Sequence, residues 1–481
     1  MLFSSIDFAI FLPIVFLLYW FVFRRHAQQN AFILLASMVF YGWWDWRYLG
    51  LVFISAATDY FAAIGMERAG TPGRRRLLLV ISLAINLGML GFFKYYNFFV
   101  GSFHTAFSFL GQGIGLRTLN IVLPVGISFY TFQTLSYTID VYRGQLKPSR
   151  DPVAFGAFIL FFPQLVAGPI ERASHLLPQF MGARRFDPAL ARDGLRQMLW
   201  GFFKKVVIAD NCSIYADMVW SDPALQYGSG WWVALLAFTF QIYADFSGYS
   251  DIAIGSSRLF GFDLKRNFNF PFFSRDVGEF WRRWHISLNT WFRDYLYLPL
   301  GGSKGGKWMV ARNVAAIFIV SGLWHGANWT FVAWGAANLL LFLPSILLAR
   351  HRKFTGPLAP GRLLPSWSDA VHMLSTFVLI ALTRIFFRSP TIEVAFHAFR
   401  EMFSPSVFRA PPGTLPSHWA TMIGGAGLLL AVEWVQREQQ HGLVLDRVPQ
   451  RPLRWGIYLT LVAAMVLLAP NNGDSFIYFQ F

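Results

Sequence analysis

NVAAIFIVSGLWHGANWTFVAWGAANLLLFLPSILLA, residues Asn313 to Ala349, is the stretch on which the fold turns. It contains no Asp, Glu, Lys or Arg. As one straight helix, at ~1.5 Å per residue, it would be about 55 Å long, well beyond the ~30 Å hydrocarbon core of a bilayer. A single straight span is therefore a poor reading. Arg312 and Arg350 flank the stretch with the same sign. It reads as two helical arms joined or broken around Gly322 to Asn328, with His325 at the break.

The rest of the chain has the same character. Of its 481 residues 55% are hydrophobic and 18% aromatic, but only 14% are charged, where soluble domains carry about 25%. Apolar runs of spanning length recur at Phe8 to Phe23, Ala31 to Trp46, Leu49 to Met66, Leu77 to Phe99 and Ile121 to Val141. They continue at Trp231 to Ile254, Val371 to Phe387, Thr421 to Val435 and Trp455 to Ala469. The sequence predicts an all-α, multi-pass integral membrane protein forming one domain over residues 1–481. The start MLFSSIDFAI has no basic segment, so the first run reads as a retained span without a soluble domain before it, not as a cleaved signal peptide.

A net charge of +16 raises nucleic-acid binding, but the Lys and Arg residues fall between apolar runs and not in one stripe. That is the signature of cytoplasmic loops. Arg24 and Arg25, then Arg68 with Arg74, Arg75 and Arg76, put the loops after the first and third spans inside, and both chain ends outside. The segment Asn471 to Phe481, with Asp474 and no Lys or Arg, agrees. Ala154 to Ile170 is basic on both flanks and reads as a re-entrant segment with Pro163 and Gly168-Pro169 as breakers. Non-helical backbone at membrane depth must be covered by protein or water, so such a segment implies a protein-lined or wet cavity. The lone Cys212 excludes an internal disulfide and reads as a packing residue.

Several side chains stand out as candidates for chemistry. His325, in SGLWHGANW, is the one group with a physiological titration in its apolar stretch, and an ionisable group in a membrane domain is costly and points to function. A neutral imidazole suits a general base; the alternative is an interhelical hydrogen bond. Gly322 and Gly326 allow close backbone approach, while Trp324, Asn328 and Trp329 can line a pocket or donate a hydrogen bond. His285 lies in EFWRRWHISLNTWFRDYLYL, where Phe280, Trp284, Leu288, Trp291 and Tyr295 recur at helical spacing. This predicts a helix at the cytoplasmic interface with its aromatic rings at headgroup level. Arg282, Arg283 and Arg293 lie on its other faces. His285 there either binds a ligand or is an ordinary interfacial histidine.

The basic region Arg258 to Arg312 carries the run Gly301 to Lys307, which could hold phosphates of a soluble acyl donor or simply be a charged cytoplasmic loop; it does not match a Walker A motif. Asp245 sits in an apolar span and needs a partner, an Arg or a histidine that it orients. No metal-ligand spacing and no G-x-S-x-G elbow occur.

In order along the chain, PVGISFYTFQTLSYTIDVYRG (Pro124 to Gly144), FFPQLVAGPIER (Phe161 to Arg172) and QIYADFSGYSDIAIG (Gln241 to Gly255) are followed by EFWRRWHISLNTWFRDYLYLPLGG (Glu279 to Gly302) and GLWHGANWTFVAWG (Gly322 to Gly335), with FIYFQF at the end. Over nearly the whole chain these resemble the membrane-bound O-acyltransferases, and among them the bacterial alginate O-acetylation type. The resemblance implies a helical fold with broken or re-entrant helices around a narrow central passage in the bacterial inner membrane. It implies that His325 is catalytic and that His285 faces the cytoplasmic part of that passage; His325 and His285 are thus the expected catalytic residues, and Trp324, Asn328, Trp329, Arg282, Arg283 and Asp245 the expected substrate-binding ones.

The implied donor is an acyl thioester, acetyl-coenzyme A, with no permanently bound cofactor and no metal. Implied partners are membrane lipid, periplasmic acetyltransferase proteins and an exopolysaccharide acceptor such as alginate. One departure stands out: alginate-type members often continue WG-x-x-HG, whereas this chain reads Trp334-Gly335-Ala336-Ala337-Asn338. Asn338 stands where that histidine would be, which leaves acceptor and partners open. D-alanyl transfer to teichoic acid shares the fold, and a transporter is the non-enzymatic alternative.

Overall fold

The computed structural model describes residues 1–107, 117–166, 168–348, 353–411 and 416–470, all of whose regular elements are helical. The chain tail with FIYFQF, and Arg350, lie outside the described residues. Among the described residues five helices are long and apolar enough to cross a membrane: His26–Arg68, Pro72–Phe107, Trp329–Leu347, Trp367–Arg388 and Arg451–Leu468. Shorter apolar helices are Ile6–Val22, Pro152–Leu165 and Trp419–Val435. This is the multi-pass membrane architecture that the apolar runs predict. The chain divides into two compact units, residues 1–191 with 257–264, and residues 192–256 with the chain from Lys265 onward.

In the first unit, helices Leu49–Arg68, Pro72–Leu90 and Ile127–Tyr142 meet around the fully buried Asp59. Its carboxylate accepts from Ser82 Oγ, from Asn86 Nδ2 at 3.1 Å and from Thr138 Oγ1 at 2.9 Å, so each helix supplies a polar group to one interhelical node. The span expected from Ile121 starts later, at Ile127, because Gly126 takes a left-handed φ of 76° that no helix continues through. The run expected to be re-entrant is a broken helix, Pro152–Leu160 and Phe162–Leu165, interrupted at Phe161. Pro163 lies in the first turn of the second piece. The groups freed by the break are bonded: Phe158 O accepts from Gln133 Nε2 (2.8 Å) and Gln164 Nε2 (3.1 Å), and Phe162 N donates to Ser37 Oγ (3.1 Å).

In the second unit, the helix Pro188–Phe203 continues through a π-helical segment, Lys204–Ala209, into Asp210–Ser221. It lies against Gly228–Leu259 closely enough that a Cβ on Gly201 would fall 2.6 Å from Gly248 O, and one on Gly248 2.8 Å from Gly201 O. Asn313 to Ala349 forms two arms, Lys307–His325 and Trp329–Leu347, broken at residues 326–328. A Cβ on Gly322 would meet Phe331 O at 2.3 Å, and one on Gly335 would meet Phe318 O at 2.4 Å. The arms are therefore antiparallel and in backbone contact, and His325 ends the first.

The packing fixes one expectation. Gly335→Val puts a branched side chain into a backbone carbonyl that cannot yield, and overpacking of this kind costs ~1–3 kcal/mol or more. The thermal midpoint of the detergent-solubilised protein should fall by several degrees; an unchanged midpoint would mean that the arms are not packed this closely.

Candidate active site

His325 is 4% exposed and sits among aromatic rings. Its ring centroid lies 4.9 Å from Trp324, 5.1 Å from Trp334 and 5.2 Å from Phe387, all edge-on. The imidazole is not sealed off. It lines a cavity of about 20 Å³ together with Ile242, Trp281, Trp284, Asn338 and Arg384. Ile380, Thr383, Arg384 and Phe387 supply one face of the helix Trp367–Arg388 to this cavity, as i, i+3, i+4 and i+7 spacing dictates.

Arg384 is the residue that the sequence reading missed. It is buried, and its guanidinium carbon lies 4.8 Å over the Trp284 ring while Nη1 donates to Thr239 O at 3.2 Å. The signal was present, since Arg384 falls inside the span Val371 to Phe387 and an intramembrane cation is costly unless it is used. The other cavity residues give no such signal, because Trp281, Trp334 and Thr383 look like ordinary packing residues in one dimension.

His285 differs from the expectation most. The expected interfacial helix is two short ones, Val277–Arg283 and Ile286–Phe292, broken at Trp284 and His285. Its stripe of Phe280, Trp284, Leu288 and Trp291 is buried within the protein. His285 has a left-handed φ of 44°, a conformation that histidine tolerates better than bulky residues but at some cost. Amide side chains and a neighbouring strand of chain hold the break. Asn269 N donates to Arg283 O (2.9 Å), Ile286 N to Asn267 O (2.8 Å), and Asn289 Nδ2 to the carbonyls of Trp281 and Trp284 (2.6 Å each).

The His285 tautomer follows from its partner. Nδ1 lies 3.1 Å from Asn267 Oδ1, which can only accept, so Nδ1 carries the proton. Nε2 is then an acceptor, buried and without a hydrogen-bond partner among the described residues. Burial pushes the His285 pKa down to about 3, so the ring is neutral at physiological pH. The two histidines share a neighbour, since Trp324 packs on His285 at 5.8 Å and on His325 at 4.9 Å.

The remaining predicted residues are placed as follows. Asp245 is buried and pairs with Lys205 Nζ at 3.0 Å, a lysine that also holds Asp210 at 2.8 Å. Arg283 pairs with Glu279 at 2.8 Å, and Arg282, exposed, donates to Phe354 O. Asn328 caps the second arm, accepting from Thr330 N at 3.1 Å and donating to Pro390 O at 3.0 Å. Trp329 is 56% exposed. Neither lines the His325 cavity. The glycine run ends in Lys307, whose Nζ donates to Leu347 O at the far end of the second arm. A second cavity is lined by Lys204, Asp251, Arg266, Asn267, Glu433 and His441 among others; its Tyr243 packs 6.0 Å from Trp284 of the first.

A family model described as the membrane-bound O-acyltransferase family matches residues 149–387, the span that holds His285, His325 and Arg384. The chain is 40% identical over 409 residues to the probable alginate O-acetylase AlgI of Azotobacter vinelandii, covering 84% of this chain and 78% of that protein. It is 34% identical over 422 residues to the peptidoglycan O-acetyltransferase of Helicobacter pylori, covering 82% and 77%. To the teichoic acid D-alanyltransferase of Bacillus subtilis it is 29% identical over 233 residues, covering 46% and 58%.

Two outcomes are expected from this geometry. Asp245→Ala removes one of two carboxylates from a buried lysine, and breaking such a pair costs ~3–5 kcal/mol; thermal stability should drop while KM of the residual folded enzyme stays unchanged. A selective rise in KM at normal stability would make Asp245 a binding residue instead. Asn267→Asp puts a negative charge beside Nδ1 of His285 and raises its pKa. The ring, neutral in the wild type at any pH above its lowered pKa, should then gain a proton as pH falls toward the raised value. The pH–activity profile should acquire a new acid limb, and an unaltered profile would count against the assigned tautomer.

Proposed function

The chain belongs to the membrane-bound O-acyltransferase family, and from that premise we propose that it carries an acetyl group from a cytoplasmic thioester to a hydroxyl of an exported polysaccharide, with His325 as general base. As an O-acyltransferase it has to bring a thioester and an alcohol together and move one proton. The observation that carries the reading is the position of His325, at a helix break, on a cavity that also holds the buried cation Arg384.

In the proposed step the neutral imidazole takes the proton of the acceptor hydroxyl as its oxygen adds to the thioester carbonyl. The oxyanion forms in the cavity that Arg384 lines, where a fixed positive charge in a water-poor surrounding stabilises it more than solvent does. Collapse breaks the carbon–sulfur bond, and the departing thiolate takes the proton back from the imidazolium. Holding both reactants together supplies the entropic part of the acceleration. At about 20 Å³ the cavity is smaller than a thioester, so its aromatic walls must part to admit one. His285, packed on the same indole as His325, is assigned the donor side, with Nε2 ready to accept a hydrogen bond.

Acetyl-coenzyme A is the donor of this reading, and no resident cofactor is needed. Alginate or a comparable exopolysaccharide is the acceptor, reached directly or through a carrier serine and periplasmic partners, and the enzyme sits in the inner membrane with both ends outside. Support for acetyl over D-alanyl comes from the matches: relatives named for O-acetylation align over 82–100% of this chain, those named for D-alanyl transfer over 46–56%.

Removing the base should cost about 10²–10⁴-fold in rate or more. His325→Ala is therefore expected to release no measurable free thiol from acetyl-coenzyme A and to leave the cell's polymer unacetylated by mass spectrometry, while inserting and folding normally. Full polymer acetylation by that variant would end the proposal.

A further inference from the structure

Asn338 Oδ1 and Trp281 Nε1, on two residues that line the His325 cavity, have no hydrogen-bond partner among the described residues, and they are complementary in kind. Asn338 is fully buried on the second arm. Its Nδ2 donates to Trp334 O at 2.8 Å and to Thr383 Oγ1 at 3.3 Å. Thr383 in turn donates to Ile380 O, so it can only accept from Asn338. Both contacts fix the orientation of the amide, since a flipped carboxamide would set its oxygen against the Trp334 carbonyl. Oδ1 is thereby left as an open acceptor. Trp281, whose ring packs 5.8 Å from Trp334 and 5.4 Å from Phe318, likewise carries a buried Nε1–H without an acceptor. An indole N–H only donates and a carboxamide oxygen only accepts.

Buried polar groups are rarely left this way, because each unmade bond is destabilising. A ligand that supplies one N–H and one C=O to this cavity satisfies both. We propose that Asn338 and Trp281 form a clamp for a secondary amide of the acyl donor: Asn338 Oδ1 accepts from the amide N–H, and Trp281 Nε1 donates to the amide carbonyl. This rests on the thioester-donor reading above and names the group that the site recognises. Pantetheine thioesters carry such an amide two methylenes from the sulfur. The walls suit the flanking methylenes of that ligand, because Ile242, Phe280, Trp284, Ile380 and Phe387 are apolar. In this role Asn338 and Trp281 place the carbonyl carbon for His325 and leave the proton transfer to it.

The test uses the full-length protein in nanodiscs and two non-reactive ligands. One is S-acetonyl-coenzyme A, a ketone in place of the thioester; the other is the same molecule with the sulfur-proximal amide replaced by two methylenes. Calorimetry should show the wild type binding the amide ligand about tenfold or more tightly than its analogue, and the ratio should fall toward one in Asn338→Leu and in Trp281→Phe. Trp281→Phe keeps the ring and removes only the donor, so it decides the matter should Asn338→Leu fail to fold. A wild-type ratio near one, or a ratio preserved in the folded variants, overturns the clamp and leaves the thioester reading standing. Binding of neither ligand overturns both. Presenting the acetonyl group on a holo acyl carrier protein tells which carrier supplies the arm, because the tighter of the two presentations identifies it.

Discussion

A peptide group inside a membrane domain has no water to bond, so an interrupted helix survives there only where something else takes its freed donors and acceptors. The chain interrupts its helices at Phe161, at Trp284 and His285, and at residues 326–328. Each time, carboxamide side chains take the freed groups. Gln133 and Gln164 bond the Phe158 carbonyl; Asn289 bonds the carbonyls of Trp281 and Trp284; Asn328 caps the second arm. A carboxamide suits the task because it donates and accepts without bringing a charge that would itself need solvation. Both histidines lie at such breaks. A continuous helix would carry His325 on its flank, whereas an ended helix leaves the ring at a gap where a cavity can form.

Charge follows the same constraint. Where cations enter the interior they are held by partners that limit the cost of burial. Lys204 pairs with Asp251 at 2.6 Å, and Lys205 is shared by Asp210 and Asp245. The π-helical segment Lys204–Ala209 sets these two adjacent lysines, and the close approach of Gly201 to Gly248 brings the acidic residues of the neighbouring helix within reach. The net positive charge that first raised nucleic acid as a partner thus divides into exposed loop residues and a few buried pairs. Arg384 is held differently, by the face of Trp284 and the Thr239 carbonyl. These contacts position the guanidinium on the wall of the cavity.

How much of this could be read from the sequence depends on which period carries the information. Hydropathy over some 20 residues located the spans, and the length of the charge-free stretch Asn313 to Ala349 forced two arms and put His325 at their junction, as found. One-residue events were not legible. A left-handed His285 leaves the spacing of Phe280, Trp284, Leu288 and Trp291 untouched, so the aromatic stripe predicted a continuous surface helix where the chain folds a buried break. Gly126 delays a helix in the same silent way. That Asp245 needs a partner is legible, but Lys205, one that it has, lies 40 positions away in a π-helical segment that no periodicity announces. Arg384 was legible in principle, as a cation inside a span, and was passed over because the span was read for its length alone.

The two imidazoles are therefore not equivalent, and the difference lies in their surroundings more than in their order along the chain. His285 has one nitrogen fixed by Asn267 and a pKa lowered by burial, which favours the neutral ring. A ring in that condition can orient a neighbour or accept a hydrogen bond, but it makes a poor base. His325 has the features that base catalysis asks for: a wall position on a cavity, a cation in the same cavity for the charge that develops, and aromatic neighbours on three elements that hold the ring without sealing it. Trp324 packs on both rings, so one indole borders an imidazole that lines the cavity and another that is held by Asn267, a difference that the sequence, which sets each histidine beside a tryptophan, does not display.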